Sequence, residues 1–434
     1  MSSRLKIAVV GVSTLLVAVL LMGAVLGKGG NNNGAYRELA VYTEVLSRIK
    51  SDYVEEPDLK SVTLGALNGL LESLDPFASY LNAEQYKEYL KSKDAEKGNV
   101  GLILSKRFGY VGVVDAIPGS PAANAGLITN DMVESIRGIA TRDMPLAYAY
   151  ILLQGKPGTT VEVSILQIQH PEPKKILLTR AVIAYPRATG KMLPDQIGIV
   201  AVQAMGPGTS IEVANAVKGL EKQGAKRLLL DLRHCGAGVP EEGIKVANLF
   251  QDKGLLSYLQ GQRVPRQNFE ADPAKSITKL PLVVMVNRGT ASGAEVAAAS
   301  LLDNKRAEVV GERTYGDASV RQPVSMEDGG AIILSVAKYY SPGGKAIQDT
   351  AVIPSVLVVE GETVESESAE GEEEAPEEVA PAPVKPNDDP TLQKAIEVLT
   401  KGVKETAKDS GPADAGSTKG GEMPPLNVPR NPNK

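Results

Sequence analysis

The sequence predicts an α/β protein, with a core of mixed sheet and helices, an inserted and mostly β module, and a helical N-terminal region. Three observations carry that expectation. From Ile197 onward, apolar strand-like runs alternate with helical stretches, a pattern that requires a sheet with helical crossovers. Between Val100 and Thr179 short β-like runs are punctuated by Gly and Pro. Leu39 to Leu90 instead shows apolar residues at helical spacing. With 434 residues and 43% hydrophobic content, the chain can bury more than one core, so folded domains plus tails are expected.

Residues 1–28 read as a membrane anchor or a signal peptide. Ile7 to Gly27 is an uncharged apolar run that, at about 1.5 Å per helical residue, approaches the ~30 Å core of a bilayer. Arg4 and Lys6 precede it, so the positive-inside rule puts the rest of the chain outside the cytoplasm, at a cell membrane crossed once. Val25 and Gly27 occupy small-residue cleavage positions, which keeps a cleaved signal peptide as the alternative. Residues 29–35 are a Gly/Asn tether. Residues 36–95 form the helical region, with Leu39, Tyr42, Val45, Leu46 and Ile49, then Leu64, Leu67, Leu70 and Leu71, before a break at Leu74-Asp75-Pro76.

The β module spans residues 96–183, with strands expected at Val100 to Leu104, Tyr110 to Ala116, Val161 to Leu166 and Lys175 to Thr179, and a helix near Leu146 to Leu153. Residues 184–357 form the α/β core. Its strands are expected at Ile197 to Val202, Leu228 to Leu232, Leu282 to Val286, Glu308 to Val310 and Ala331 to Ala337. Its helices are expected at Ser210 to Gln223, with Ser210 as the N-cap, at Glu241 to Leu249 and at Ser292 to Leu302. Residues 358–390 are rich in Glu, Pro and Ala and read as a solvated, disordered linker. Residues 391–407 suggest a short amphipathic helix, and 408–434 a disordered tail.

A net charge of -5 with no basic stripe removes the electrostatic basis for nucleic-acid binding. The single cysteine, Cys235, rules out an intrachain disulfide, and no Cys/His cluster offers a metal site, so neither metal nor cofactor is expected.

Two groups of motifs carry the chemistry. Gly119-Ser120-Pro121-Ala122-Ala123-Asn124-Ala125-Gly126-Leu127, followed by Asn130-Asp131-Met132-Val133 and Ile136-Arg137-Gly138, resembles the PDZ domain of bacterial exported proteases. In that family a glycine-containing loop offers backbone N–H groups to a peptide's terminal carboxylate, while the peptide adds as a strand to an open sheet edge. The matching loop here is Asn99-Val100-Gly101-Leu102. The alternative is a PDZ-like module that serves only as a lid or spacer.

The core resembles the carboxyl-terminal processing peptidases, or tail-specific proteases. The matching segments are Leu74 to Tyr80, Leu230-Asp231-Leu232-Arg233, Val286-Asn287, Val310-Gly311-Glu312, Lys338 to Pro342 and Ala346-Ile347-Gln348. The resemblance implies a serine nucleophile in the run Asn287-Arg288-Gly289-Thr290-Ala291-Ser292-Gly293-Ala294-Glu295, at Ser292, where a helix N-terminus favours developing negative charge. Ser292 as a simple helix N-cap is the bland alternative.

The family's base is a lysine in a Thr-Phe-Gly-Lys-Gly-Ser-Val-Gln run, oriented by the final glutamine. This chain reads Thr314-Tyr315-Gly316-Asp317-Ala318-Ser319-Val320-Arg321, so Asp317 takes the lysine position and Arg321 the glutamine position, with Gln322 next door. An aspartate is shorter and, with a reference pKa of about 3.9, a poor base for a hydroxyl; Asp317 and Arg321 are suited to pairing with each other. The family's oxyanion loop, Asn-Asn-Pro-Gly-Gly, is here His234-Cys235-Gly236-Ala237-Gly238, where Gly236 and Gly238 are the candidate oxyanion-loop residues and Ala237 replaces a glycine expected to need positive φ.

Of the two histidines, His170 lies in a polar Pro-containing loop, and His234 keeps a Ser292, His234, Asp317 relay open. Nothing in the sequence marks Cys235 with the lowered pKa a thiol nucleophile needs. The apolar N-terminal run and the resemblance together lead to the expectation of a membrane-anchored, extracytoplasmic protein that binds polypeptide C-termini through its PDZ domain, and the departure at Asp317, which holds the lysine position, to that of impaired serine peptidase activity. An active endopeptidase using Ser292 with a substituted base such as His234, and a non-enzymatic envelope scaffold, are the alternatives. Polypeptide C-termini and the membrane are the expected partners, and homo-oligomerisation is left open.

Overall fold

The computed structural model describes residues 33–94, 98–107, 109–167, 170–358 and 389–401. The expected anchor, the tether before Asn33, most of the acidic linker and the expected tail lie outside the described residues. Among those described, no helix is long and apolar enough to cross a membrane. The chain divides into two compact units, residues 1–67 and 68–434.

The first unit holds α1 (Asn33–Asp52) and the opening of α2 (Leu59–Glu72). Asp58 starts α2, its Oδ1 accepting from the N–H groups of Lys60 and Ser61 at 3.0 and 3.3 Å. Along α1 the side chains of Leu39, Val41, Tyr42 and Val45 are exposed.

In the second unit Asp75 makes the expected break. Its Oδ1 accepts from the N–H groups of Phe77 and Ala78 at 2.9 and 2.8 Å and closes a turn that a helix cannot continue through. There follow β1 (Ser79–Leu81) and α3 (Ala83–Asp94). The β module comprises β2 (Leu102–Arg107), β3 (Tyr110–Ala116), α4 (Pro121–Asn124), β4 (Met132–Ile136), β5 (Ile139–Ala140), α5 (Leu146–Leu153), β6 (Thr160–Gln167) and β7 (His170–Thr179). Its sheet runs β2-β3-β4-β6-β7, with β5 on β4, so β2 is an edge strand. His170 is a correction: it opens β7, paired with Gln167, rather than lying in a loop.

The core then contributes β8 (Thr189–Leu193), β9 (Ile197–Ala201), β10 (Ala204–Met205), α6 (Thr209–Lys222), β11 (Arg227–Asp231), β12 (Ala237–Gly238), α7 (Pro240–Phe250), β13 (Leu255–Gln260), β14 (Gln267–Glu270) and β15 (Leu282–Val286). It continues with α8 (Gly293–Asp303), β16 (Glu308–Gly311), β17 (Ser319–Ser325), β18 (Ala331–Tyr340), α9 (Ile347–Thr350), β19 (Val356–Leu357) and α10 (Pro390–Lys401).

The main sheet runs β19-β16-β15-β11-β9-β8, parallel except where β8 pairs antiparallel with β9. Its apolar runs are continuous because both faces are covered. Leu228, Leu230 and Val284 face a core shared with Val213, Val217, Phe250 and Val296 of α6, α7 and α8. The alternate residues Leu229, Val283 and Met285 meet Ala395 and Val398 of α10 on the other face. A second, antiparallel sheet runs β1-β18-β13-β14, with β17 on β18.

The expected N-cap Ser210 is also corrected. Gly208 caps α6 with φ 89°, a left-handed conformation open to glycine, and Ser210 lies inside the helix with its N–H donating to Glu242 Oε2 at 3.1 Å.

Candidate active site

Strands β11, β15 and β16 lie side by side and parallel, so the loops leaving their carboxyl ends converge on one edge of the sheet. After β11, Arg233 donates to Asp231 through Nε and Nη2 at 2.9 and 2.8 Å, and through Nη1 to both Asp389 oxygens at 2.9 Å, tying this loop to the start of α10. His234 has φ 54° and donates its backbone N–H to Asn287 Oδ1 at 3.0 Å. Asn287 Nδ2 lies 2.9 Å from His234 Nε2, so that ring nitrogen accepts and the proton belongs on Nδ1, which sits 3.7 Å from Asp115 Oδ1 of β3. Asp115 is buried, and its Oδ2 has no hydrogen-bond partner among the described residues.

After β15, a second loop is stitched to the first. Thr290 Oγ1 donates to Leu232 C=O at 2.8 Å, and the Ala291 N–H donates to Cys235 C=O at 3.1 Å. This loop delivers Ser292 with φ 54° and ψ -121° at the N-terminus of α8. A non-glycine residue avoids that region without compensation, and such strain gathers at functional turns. Ser292 Oγ donates to Gly238 C=O at 3.3 Å, while its backbone N–H donates to Glu295 Oε2 at 3.1 Å. Helices α7 and α8 meet closely here: a Cβ on Gly243 would stand 1.8 Å from the Gly293 carbonyl oxygen.

Glu295 is fully buried and joins the third loop to this turn. Its Oε1 accepts from Thr314 Oγ1 and from the Gly316 N–H at 2.7 Å; its Oε2 accepts from the Asp317 N–H at 2.7 Å as well as from Ser292. Burial pushes its carboxyl up to about 7 against the pull of these donors. One oxygen therefore holds the backbones of Ser292 and Asp317 side by side.

The Asp317 carboxylate pairs with the Arg321 guanidinium, whose carbon lies 3.7 Å from the centre of the Phe77 ring. Burial raises the Asp317 carboxyl above its ordinary value, with Arg321 opposing. Gln322 faces away from that pair and is exposed, because neighbouring strand residues point to opposite faces. In the module, Asn99 Oδ1 accepts from the Val100 and Gly101 N–H groups at 2.6 and 3.3 Å.

Residues 196–358 match Peptidase family S41, and residues 112–167 match the PDZ domain. The chain is 30% identical over 366 residues to the carboxy-terminal processing protease CtpA of Bacillus subtilis, covering 82% of this chain and 78% of that one. It is 31% identical over 318 residues to the carboxyl-terminal-processing protease of Synechocystis, covering 71% and 74%. The chain belongs to the carboxyl-terminal processing peptidases of family S41. Its fold matches that of a photosystem II D1 C-terminal processing protease with a TM-score of 0.59 at 30% identity, over 72% of this chain and 86% of that one.

Within this peptidase scaffold, the hydrogen bonds of Ser292 go to Gly238 and Glu295, and neither a lysine nor His234 is among those partners. The relay considered from the sequence is not assembled: Asp317 is held by Arg321, and His234 by Asn287. Glu295 cannot stand in for a base, because both its oxygens face donors and it reaches Ser292 through the backbone. Cys235 is fully buried, which pushes its thiol well above the ordinary range and suits packing rather than attack. Ala237 corrects an expectation. It lies in β12 opposite Ala204, and the positive φ values fall instead at His234 and at Gly238, with φ 119°.

Sequence reasoning named Glu295 only as the end of a motif. Its signal was the spacing Ser292-Gly293-Ala294-Glu295, the Ser-x-x-Glu pattern of a capping box. Asp115 gave no signal, since only the fold brings β3 to His234.

Between pH 4.5 and about 7 the folded protein holds a proton on Glu295 that the unfolded chain has released. Its contribution to stability therefore falls as pH rises through that window and is level above it. Glu295→Gln should remove that slope in urea unfolding and cost about 1–3 kcal/mol, because its amide NH₂ faces at least one backbone N–H. Unchanged stability and slope in the variant would contradict this role.

Proposed function

We propose that this chain is a membrane-anchored, extracytoplasmic member of the family that engages polypeptide C-termini through its PDZ domain and turns over peptides poorly. The observation that carries the reading is the Asp317–Arg321 ion pair, which fills the positions the family resemblance assigns to the lysine base and its orienting glutamine. A serine hydroxyl attacks only when a group of suitable pKa takes its proton. A carboxylate paired with an arginine that itself lies over the Phe77 ring is committed elsewhere. Ser292 keeps the nucleophile's position and the strained turn, so the loss concerns proton transfer rather than the scaffold. The apolar run from Ile7 to Gly27 supports the anchor, and the Lys/Arg asymmetry around it supports the extracytoplasmic side.

The full chain in detergent should leave unstructured polypeptides intact, and Asp317→Lys combined with Arg321→Gln should raise turnover by about 10²-fold or more. Robust cleavage by the unaltered chain that disappears in Ser292→Ala would overturn the reading; loss of that cleavage in His234→Ala would then assign the base to the histidine.

Peptide recognition has its own check. Amidating the C-terminus of a bound peptide should weaken binding by about 1 kcal/mol or more, as a charge-assisted hydrogen bond is lost. Equal affinity for acid and amide would reject carboxylate capture by the loop from Asn99 to Leu102.

A further inference from the structure

The edge strand β2 is where a peptide would add, yet the backbone groups of Leu104 at its middle already have a partner. The Leu104 N–H donates to the Tyr150 hydroxyl at 2.9 Å, and that hydroxyl donates back toward the Leu104 carbonyl at 3.4 Å. Tyr150 stands on α5, a helix that contacts β2, so one side chain satisfies both the donor and the acceptor that an incoming strand would use. The neighbourhood is filled as well. Leu102 and Leu104 are buried, and the side chain of Tyr315 reaches the module's core beside Tyr150, with its ring edge-on to Phe77 at 6.1 Å.

We propose that Tyr150 is a built-in competitor at the strand-addition edge, so that a polypeptide C-terminus binds by taking the Leu104 N–H and C=O away from the Tyr150 hydroxyl. This rests on the reading of the module as a binder of C-termini. An edge strand leaves a row of unpaired backbone groups open to wrong partners, and a tyrosine hydroxyl covers one residue's worth while leaving removal reversible. The peptide backbone replaces those two hydrogen bonds rather than adding them, so the hydroxyl subtracts from the affinity the edge would otherwise show.

Tyr150→Phe keeps the ring and removes only the hydroxyl. The Leu104 groups are then without a partner in the free protein and regain one when a peptide adds. The variant should therefore be less stable than the parent yet bind more tightly, by about fivefold or more for the two hydrogen bonds no longer displaced. A tyrosine with a merely structural role would lower stability without raising affinity.

The test uses the full chain in detergent on an array of immobilised peptides with free C-termini, and on the same array amidated, with hydrogen exchange at the Leu104 amide read in parallel. The expected result is tighter binding of the free-acid peptides by the variant, together with a Leu104 amide that is slow in the parent, fast in the free variant and slow again once peptide is bound. Selective binding of the acid array by both proteins without a gain in the variant would overturn this proposal and leave C-terminus recognition standing. Absence of binding by both proteins on both arrays would overturn the two together.

Discussion

The arrangement around Ser292 depends on one buried carboxylate. Glu295 has no exposure, and its two oxygens collect the N–H groups of Ser292, Gly316 and Asp317 and the hydroxyl of Thr314. Backbone donors buried away from water need acceptors, and the first turn of a helix has several to place. Glu295 uses that requirement to join its own turn to a segment 19 to 22 residues further along the chain. The joint holds the strained φ of Ser292 and sets the Asp317 backbone next to it. It fixes geometry and supplies no base, because the carboxylate is saturated with donors.

Beside Ser292, the position that the resemblance assigns to the lysine base is held in an ion pair. Arg321 is held by Asp317 and by the face of Phe77, and Phe77 lies in the Asp75 turn that follows α2. The pair is thus anchored on both sides. On the opposite flank His234 is oriented by Asn287, with its Nδ1 toward Asp115 of the PDZ module. The module reaches the core at other points too: Ile103 and Ile117 pack with Ala204 and Ala237, and Tyr315 of the core joins the module's own cluster.

Much of this was legible in the sequence, for identifiable reasons. The helix from Leu146 to Leu153 and the strands β3, β11 and β15 are apolar runs whose burial leaves one choice of structure. Strands β8, β13, β14 and β17 are not legible in the sequence, because their faces are partly exposed and polar residues such as Lys191, Gln260, Gln267 and Arg321 interrupt the pattern. For helix α6 the sequence points to Ser210 as the cap, two residues past Gly208, which supplies the conformation. For the site, local spacing carried Ser292, Asp317 and Arg321. The joining role of Glu295 and the approach of Asp115 come from contacts across the fold, which no local window contains.

The central claim is that Ser292 occupies a nucleophile's position without an activated hydroxyl. A fluorophosphonate probe reads that property directly, since it reacts with a serine only when a neighbouring group removes the proton. With the full chain in detergent near neutral pH, mass spectrometry should find Ser292 unlabelled, at the background level of a Ser292→Ala control. Stoichiometric labelling at Ser292, absent from that control, would contradict the account.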